Sequence, residues 1–373
     1  MDTNAWLALA ALPGMGAHRL KTLTDHAPDW PWGFLAALPA PAASALRLWL
    51  DHPDKSPLQA SIDAARQWLE AGPDRHLLHR GHPAWPALLD ELPDPPPVLW
   101  ALGDLAALSG PGIAMVGTRK PTADGGRNAR GFANDFASRG WCVVSGMALG
   151  VDGLAQQAAL DAGGATVAVL GCGVDVIYPA SHRALYQQLT QAPGALVLSE
   201  HPPGTPARPA YFPRRNRIIT GLSLGTLVIE ATEKSGSLVS ARLALEQGRE
   251  LFALPGSIHN VQAAGCLSLL RNGATLARGV DDVLEELGHW AEAYLPRRAE
   301  PQAAAPVQIS SVPDAPLERE PDALLAALST TPTPIDWLVQ QTAQSVSECQ
   351  QRLLMLELDG RVAQQAGGWV RLR

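Results

Sequence analysis

Cysteine is scarce in this chain of 373 residues, and its spacing excludes two kinds of small scaffold. The four cysteines stand far apart and form no C-x-x-C pair, so neither a zinc ribbon nor a disulfide framework is indicated. No run of about eighteen apolar residues is free of charges, prolines and glycines, which argues against a membrane span. The N-terminus also lacks the basic segment of a signal peptide. We therefore expect a cytoplasmic protein with no membrane partner.

The motifs of several enzyme classes are absent as well. No G-x-x-x-x-G-K-[ST] segment is present, so we expect no P-loop. Gly171-x-Gly173 lacks the third glycine of a dinucleotide fingerprint. Ser145 has no G-x-S-x-G elbow around it, and Asp152 is better placed to organise a loop or cap a helix than to bind a metal. We predict a protein that is not an enzyme and has no catalytic residue, metal site or cofactor.

Charge is low and unevenly distributed along the chain. Only 17% of the residues are charged and the net charge is −7, which excludes a generally basic nucleic-acid coat. Residues 111–288 nevertheless carry fifteen basic and fourteen acidic groups, whereas both flanking segments have an acidic excess. Any anion site is therefore expected in the middle segment.

The N-terminal segment, residues 1–97, is predicted to form a small helical domain. Its apolar segments are short and separated by prolines, which predicts short helices. The Leu12-Pro13-Gly14-Met15-Gly16 turn is similar to that of SAM or helix-hairpin-helix domains, in which glycines let a helix N-terminus approach a phosphate. A tight turn in a helical bundle explains the same pattern and is favoured here, because no lysines adjoin it.

Residues 98–290 have the pattern of an α/β domain. Short apolar strands alternate with segments of helical length, which predicts a doubly wound, mainly parallel Rossmann-like sheet covered on both faces. Ligands bind such sheets at the carboxyl ends of the strands. The predicted strands are residues 113–116, 141–145, 165–170, 195–199, 226–230, 250–254 and 274–276.

The C-terminal segment divides into a linker and a small domain. Residues 291–321 are rich in proline and alanine, which indicates a linker. Residues 322–373 have the pattern of three helices and a hairpin, typical of a winged helix. The predicted recognition helix, residues 345–358, carries more acidic than basic side chains, so a protein-binding or regulatory role is favoured over reading of duplex DNA.

Glycine-rich loops follow several of the predicted strands. They contain Gly117-Thr118-Arg119, Ser145-Gly146 with Gly150, and Lys234-Ser235-Gly236-Ser237. Such loops present unpaired backbone N–H groups and helix N-termini, which suit phosphate. One glycine loop is a weak signal, but several loops with adjacent Arg or Lys predict an anion site.

A basic and aromatic segment follows the fourth predicted strand. Phe212, Arg214, Arg215, Asn216 and Arg217 offer a ring for stacking on a base and guanidiniums for successive phosphates, which favours single-stranded nucleic acid. Because Phe212 precedes a proline, we predict it to be extended, ahead of a helix at residues 217–222. The alternative is a buried ring with the arginines paired to glutamates, of which Glu200, Glu230 and Glu233 are the candidates.

With these motifs the sequence resembles the DNA processing protein A (DprA/Smf) family over roughly residues 75–290. The resemblance implies a single-stranded-DNA-binding protein of bacterial natural transformation that protects incoming DNA, forms a homodimer and loads the RecA recombinase. Gln156 departs from the histidine that is usual in this family. The motifs that carry the resemblance are Gly117-Thr118-Arg119, Val144-Ser145-Gly146 with Gly150-Val151-Asp152, Gly171-x-Gly173 with Tyr178-Pro179, the segment from Phe212 to Ile219, Ser235-Gly236-Ser237-Leu238 and Pro255-Gly256.

Two other functions stay open at this point. One is a Rossmann-like nucleotide-processing hydrolase of the lysine-decarboxylase-like group, although the P-G-G-x-G-T-x-x-E element of those enzymes is not reproduced. The other is a protein-binding regulator with vestigial anion loops. The residues predicted to bind nucleic acid are Gly117, Thr118, Arg119, Ser145, Gly146, Gly150, Phe212, Arg214, Arg215, Asn216, Arg217, Lys234, Ser235, Gly236 and Ser237.

Overall fold

The computed structural model describes residues 1–26, 28–291, 324, 328, 333, 335–342, 346–358, 361–365 and 368–371. The chain divides into two compact units, Met1–Pro301 and Gln302–Arg373. The predicted linker lies outside the described residues from position 292 onward. No helix among the described residues is both long enough and apolar enough to cross a membrane.

Five helices form the N-terminal part of the first unit. Asp2 caps the first of them by accepting a hydrogen bond from the Ala5 N–H at 2.9 Å, and Ser56 caps the fifth. The Leu12–Gly16 segment is a tight turn in which Gly14 has a φ of 71°. The helices are α1 (Thr3–Ala10), α2 (Ala17–Asp25), α3 (Trp32–Ala37), α4 (Ala40–Asp51) and α5 (Pro57–Glu70).

A nine-stranded sheet follows, in the order β1-β2-β6-β5-β4-β3-β7-β8-β9. From β6 to β9 all neighbours are parallel, so the predicted mainly parallel sheet is confirmed. Two antiparallel strands, β1 and β2, extend one edge and were not predicted. The strands are β1 (Arg75–His79), β2 (Val98–Gly103), β3 (Gly112–Val116), β4 (Cys142–Ser145), β5 (Thr166–Val169), β6 (Ala195–Ser199), β7 (Gly225–Val228), β8 (Glu250–Ala253) and β9 (Thr275–Leu276).

Helices cover both faces of the sheet because successive strand residues point to opposite sides. Ile113 and Met115 of β3 pack with α6, α7 and α12, whereas Ala114 and Val116 pack with α9, α10 and α11. The N-terminal helices share a core with Trp100 of β2 and with α8. These helices are α6 (Ala123–Ser138), α7 (Val151–Asp161), α8 (Arg183–Gln191), α9 (Tyr211–Gly221), α10 (Ser237–Glu246), α11 (Ala264–Arg271) and α12 (Val280–Ala291).

The order of the strands creates a switch point between β3 and β7. From β3 the chain continues to β4, β5 and β6 on one side, and from β7 it continues to β8 and β9 on the other. The loops after β3 and β7 therefore diverge and leave a crevice at the carboxyl ends of the strands, where open α/β sheets bind ligands.

The second unit contains helices α13 (Ile335–Thr342) and α14 (Val346–Leu358) and the antiparallel hairpin of β10 (Val362–Gln365) and β11 (Gly368–Arg371). Leu338 and Leu353 are fully buried in its core. The first of the three helices predicted within residues 322–373 falls largely outside the described residues.

Candidate nucleic-acid interface

A cleft of about 530 Å³ opens at the switch point. Its walls come from the loops after β3, β4 and β7, from the first turns of α9, and from the N-terminus of α10. The lining residues include Gly117, Thr118, Arg119, Asp152, Tyr178, Phe212, Arg215, Asn216, Ser235, Gly236 and Ser237. Five separate segments of the sequence thus meet in one crevice.

The loop after β3 is held in place by Glu230. The Glu230 backbone carbonyl accepts a hydrogen bond from the Thr118 N–H at 2.7 Å. Its carboxylate accepts from the Thr122 N–H at 2.9 Å and from the Thr122 hydroxyl at 2.5 Å. Thr122 in turn caps α6 by accepting from the Gly125 N–H at 3.0 Å. The Gly117–Pro121 backbone is therefore fixed at both ends, while the Arg119 side chain is exposed.

Arg215 forms the buried floor of the cleft. Its guanidinium donates to the Gly146 carbonyl at 2.5 Å and to the Val169 carbonyl. It also lies 3.8 Å from the Asp152 carboxylate. Burial raises the pKa of Asp152, and the neighbouring Arg215 charge acts in the opposite direction. The Arg215 guanidinium thus lies at the base of the crevice, with Asp152 as its counter-ion and two backbone carbonyls as its acceptors.

Two glycines of the loop after β4 permit this arrangement. Gly146 lies against Arg215, and a Cβ at this position would overlap the guanidinium. Gly150 has a φ of 80°, and a Cβ there would meet the Thr118 carbonyl. Ser145 and Asp152 organise the same loop: the Ser145 hydroxyl donates to the Met115 carbonyl at 2.7 Å, and Asp152 accepts from the Gly146 N–H at 3.2 Å. The loop-organising role considered for Asp152 is confirmed.

Gln156 supports the loop after β4 from below. It is fully buried, its side-chain oxygen accepts from the Met147 N–H at 3.0 Å, and its amide nitrogen donates to the Val167 carbonyl at 3.1 Å. Met147 has a φ of 54°, the one left-handed non-glycine conformation among the described residues. Gln156 therefore connects the strained Met147 backbone to β5.

Phe212 and Tyr178 form the aromatic rim of the cleft. Their ring centroids are 5.1 Å apart, and the Tyr178 side chain is 46% exposed. The predicted extended conformation of Phe212 is wrong, because α9 begins at Tyr211 rather than at Arg217. Pro213 is accepted here because the first turn of a helix leaves its N–H groups without intrahelical partners, so a missing N–H costs nothing.

Arg214 and Arg217 face away from the cleft and meet at Glu200. Arg217 is buried, with Nη2 2.5 Å from Glu200 Oε2 and Nε 3.1 Å from Asp94 Oδ2. Arg214 Nε lies 2.9 Å from Glu200 Oε1, and its side chain is 53% exposed. Arg214 and Arg217 are therefore paired with a glutamate, as the alternative interpretation expected. The glutamate is Glu200, whereas Glu230 binds Thr122.

The structure brings nine of the fifteen predicted residues to the cleft wall. Ser145, Gly146 and Gly150 do not line the cleft but belong to the loop after β4 that supports its wall. Lys234 is exposed on the loop before α10. Tyr178 is a lining residue that the prediction omitted, although the Tyr178-Pro179 pair already belonged to the resemblance. The cleft residues are Gly117, Thr118, Arg119, Phe212, Arg215, Asn216, Ser235, Gly236 and Ser237.

Comparison with known proteins agrees with this architecture. The family model described as DNA recombination-mediator protein A matches residues 76–288, and the DprA winged helix domain matches residues 308–368. Protein Smf of Escherichia coli is 42% identical over 316 residues, covering 84% of this chain and 81% of the relative. DNA processing protein DprA of Bacillus subtilis is 44% identical over 204 residues, covering 54% and 68%.

Solved structures extend the agreement to three dimensions. DNA processing protein A from Streptococcus pneumoniae is 32% identical, with a TM-score of 0.64, and the match covers 76% of this chain and 98% of that one. DNA processing protein A from Helicobacter pylori, described with a unique single-stranded DNA binding mode, is also 32% identical, with a TM-score of 0.52, and covers 58% and 97%. The winged-helix prediction is confirmed. The chain belongs to the DprA/Smf family of DNA-processing proteins.

Proposed function

We propose that the chain binds single-stranded DNA in the cleft at the switch point, without marked sequence preference. The observation that carries this proposal is that exposed Tyr178 and half-buried Phe212 line the same crevice as exposed cations. Bases stack on rings whatever their identity, and arginine or lysine pairs with the backbone phosphates. The single-stranded DNA binding described for the relative from Helicobacter pylori supports the same assignment.

The phosphate contacts are assigned to the cations at the mouth of the cleft. Arg119 and Lys234 are exposed, and no ion pair involves either of them among the described residues. Arg215 contributes its charge from the floor, next to Gly146 and Asn216. The N-terminus of α10, with Ser235, Gly236 and Ser237 before and within its first turn, adds the positive end of a helix dipole to the cleft wall.

The finer biological role follows from family membership and is part of the proposal. We assign the chain to bacterial natural transformation, in the cytoplasm, as a homodimer that protects incoming single strands and loads RecA onto them. The role is one of binding rather than catalysis. The intracellular single strand and the recombinase are the two partners that a mediator of recombination must meet.

The binding proposal is tested by fluorescence anisotropy with single-stranded and duplex oligonucleotides over a range of salt concentrations. The log of affinity for the single strand should fall linearly with log salt, by about 0.7 per phosphate contacted. Arg119→Ala should weaken binding and flatten the slope by about 0.7, with an unchanged Tm. Arg139→Ala, on an exposed arginine at the far end of α6 that pairs with Asp281, is a control for loss of a remote surface charge. Equal affinity for duplex and single strand would overturn the proposal.

Arg217→Ala provides the contrasting result. It leaves the buried Glu200 carboxylate without its closest partner, which costs about 3–5 kcal/mol of folding free energy. The Tm should fall, while the salt slope of the folded protein stays the same. An unchanged Tm with a flattened slope would instead place Arg217 in contact with phosphate.

A further inference from the structure

The segment between β6 and α9 brings a further arginine to the edge of the cleft. Pro209 of this segment lines the cleft, and Arg208 directly precedes it. Arg208 is exposed, and within the part of the chain that the structure describes no ion pair involves it. The three arginines that follow in α9 each lie near a carboxylate, of Asp152 or Glu200. Arg208 is therefore the member of this group whose charge has no counter-ion in the protein.

An aromatic ring holds the Arg208 side chain without neutralising it. The Arg208 Cζ lies over the Tyr211 ring, 5.8 Å from its centroid. A cation on the face of a ring is attracted by the ring quadrupole, but it keeps its charge and its N–H donors. A carboxylate partner would instead compensate the charge and occupy two of the donors. The guanidinium is thus oriented in advance and is still able to pair with an anion.

The Tyr211 ring is itself fixed by a second ring. It stacks on the His201 imidazole with centroids 4.0 Å apart, which leaves its other face to the guanidinium. Burial lowers the pKa of His201, so the imidazole is neutral at neutral pH and does not repel the neighbouring cation. Of the three stacked groups, Arg208 alone is classed as exposed, so it is the one that a ligand in solution meets.

The backbone that carries Arg208 is restrained as well. Four of residues 202–210 are prolines, whose φ is fixed by the ring. The Gly204 N–H donates to the Asp175 carboxylate at 2.7 Å, and the Arg208 carbonyl accepts from the Tyr211 N–H at 3.0 Å. A contact made from such a segment loses little conformational entropy on binding, which favours affinity.

The order of the strands relates Arg208 to the other cations of the cleft. Arg119 and Lys234 follow β3 and β7, whereas Arg208 follows β6. In the sheet, β6 and β7 are four strand spacings apart, or about 19 Å. Tyr178 follows β5, which lies between them. Unpaired cations thus stand at both ends of a row of strand ends, with the aromatic rim of the cleft between them.

We propose that the single strand lies across the carboxyl ends of the strands from β6 to β7 and that Arg208 binds a phosphate at the β6 end of this path. The inference rests on the proposed single-strand binding and adds a path and a further contact to it. With about 3.4 Å between successive phosphates, as along one strand of a duplex, about six nucleotides span the distance.

The test measures salt slope, strand-length dependence and Tm with oligo(dT). Arg208→Ala should weaken binding and flatten the salt slope by about 0.7, with an unchanged Tm, because an exposed phosphate contact is lost. Wild-type affinity should rise with strand length until the strand reaches both ends of the path, and in Arg208→Ala it should level off at a shorter length. Arg208→Lys keeps the charge and should restore the slope.

Arg47→Ala is the matched control. Arg47 is exposed on α4, outside the cleft lining, and it too has no ion pair among the described residues. The variant removes the same charge from the protein and should bind oligo(dT) as the wild type does. An equal loss of affinity in Arg47→Ala and Arg208→Ala would overturn the contact, because net charge alone would then explain both.

Two further results separate this inference from the proposed function. A wild-type salt slope and length dependence in Arg208→Ala would overturn the contact at the β6 end and leave binding in the cleft intact. Absence of oligo(dT) binding by the wild-type protein would overturn the proposed cleft itself, and the path with it.

Discussion

Phe212 lies in the first turn of α9, packs against the Tyr178 ring and lines the cleft. A base lying on this ring contributes about 1–3 kcal/mol to binding. Phe212→Ala should therefore weaken single-strand affinity by that amount. The salt slope should not change, because no phosphate contact is lost.

A salt titration and a thermal melt on Phe212→Ala measure both quantities. Phe212→Tyr keeps the ring and should bind as wild type. If the alanine variant melts far lower but binds normally once folded, the ring belongs to the packing of α9 and not to the interface, since truncation of a core Phe costs about 3–5 kcal/mol.

Gln156 occupies a buried position where a histidine would behave differently with pH. Its side chain accepts from Met147 and donates to Val167 at every pH. A neutral imidazole can do both, but a protonated one can only donate. Burial also lowers the pKa of an imidazole below its usual value of about 6.5, so the stability it contributes is lost as pH falls through the lowered value.

Gln156→His should therefore add an acid-side loss of stability. Tm measured between neutral pH and about pH 5 should fall more steeply for the variant than for wild type, which serves as the control. Parallel Tm curves for the two proteins would show that the Met147 backbone does not depend on an acceptor at this position.

At the scale of elements, the N-terminus of α6 links the stability of the fold to the position of the loop that lines the cleft. Thr122 caps the helix and is itself held by Glu230 from the end of β7. Thr122→Ala should cost about 1 kcal/mol of folding free energy, as loss of an N-cap does. Binding of single strands should also weaken, because the Gly117–Pro121 loop that carries Arg119 loses one of its anchors.

Asp2→Ala is the matched control for Thr122→Ala. It removes the cap of α1, which is remote from the cleft lining, and should cost similar stability with no change in binding. Urea unfolding and anisotropy on both variants give the comparison. Equal losses of affinity in the two variants would mean that the binding defect reflects stability alone.

At the scale of the whole molecule, the cleft belongs entirely to one of the two units. Its lining residues fall between Val116 and Ser240, within Met1–Pro301. Removal of residues 302–373 should therefore leave single-strand affinity and its salt slope unchanged. A large loss of affinity in the truncated protein would assign DNA contacts to the winged-helix unit.

The N-terminal helices, in contrast, are part of the folded core. Trp100 and Val98 of β2 are buried among side chains of α1, α4 and α5, and β2 hydrogen-bonds to β6. A fragment that begins after β2 would expose this core and a sheet edge. The truncation is therefore made at the C-terminal side only.

Local pattern in the sequence was sufficient for the parallel part of the sheet and for the loops that surround the cleft. Buried parallel strands have continuous apolar runs, so the seven strands from β3 to β9 could be predicted. The edge strand β1 contains Arg75, His76 and His79, and so lacks that signal. The glycines at 117, 146 and 150 marked these loops because other groups approach the backbone there too closely for a Cβ.

Only the tertiary structure determines which of the three arginines are buried and which groups each one contacts. Arg214, Arg215 and Arg217 are neighbours in sequence, but successive residues of a helix point in different directions, so they reach three surroundings. Arg215 meets Asp152 and Gly146, and Arg217 meets Glu200 and Asp94, which come from distant segments. Whether a guanidinium is buried and paired depends on such long-range partners, and no local pattern encodes them.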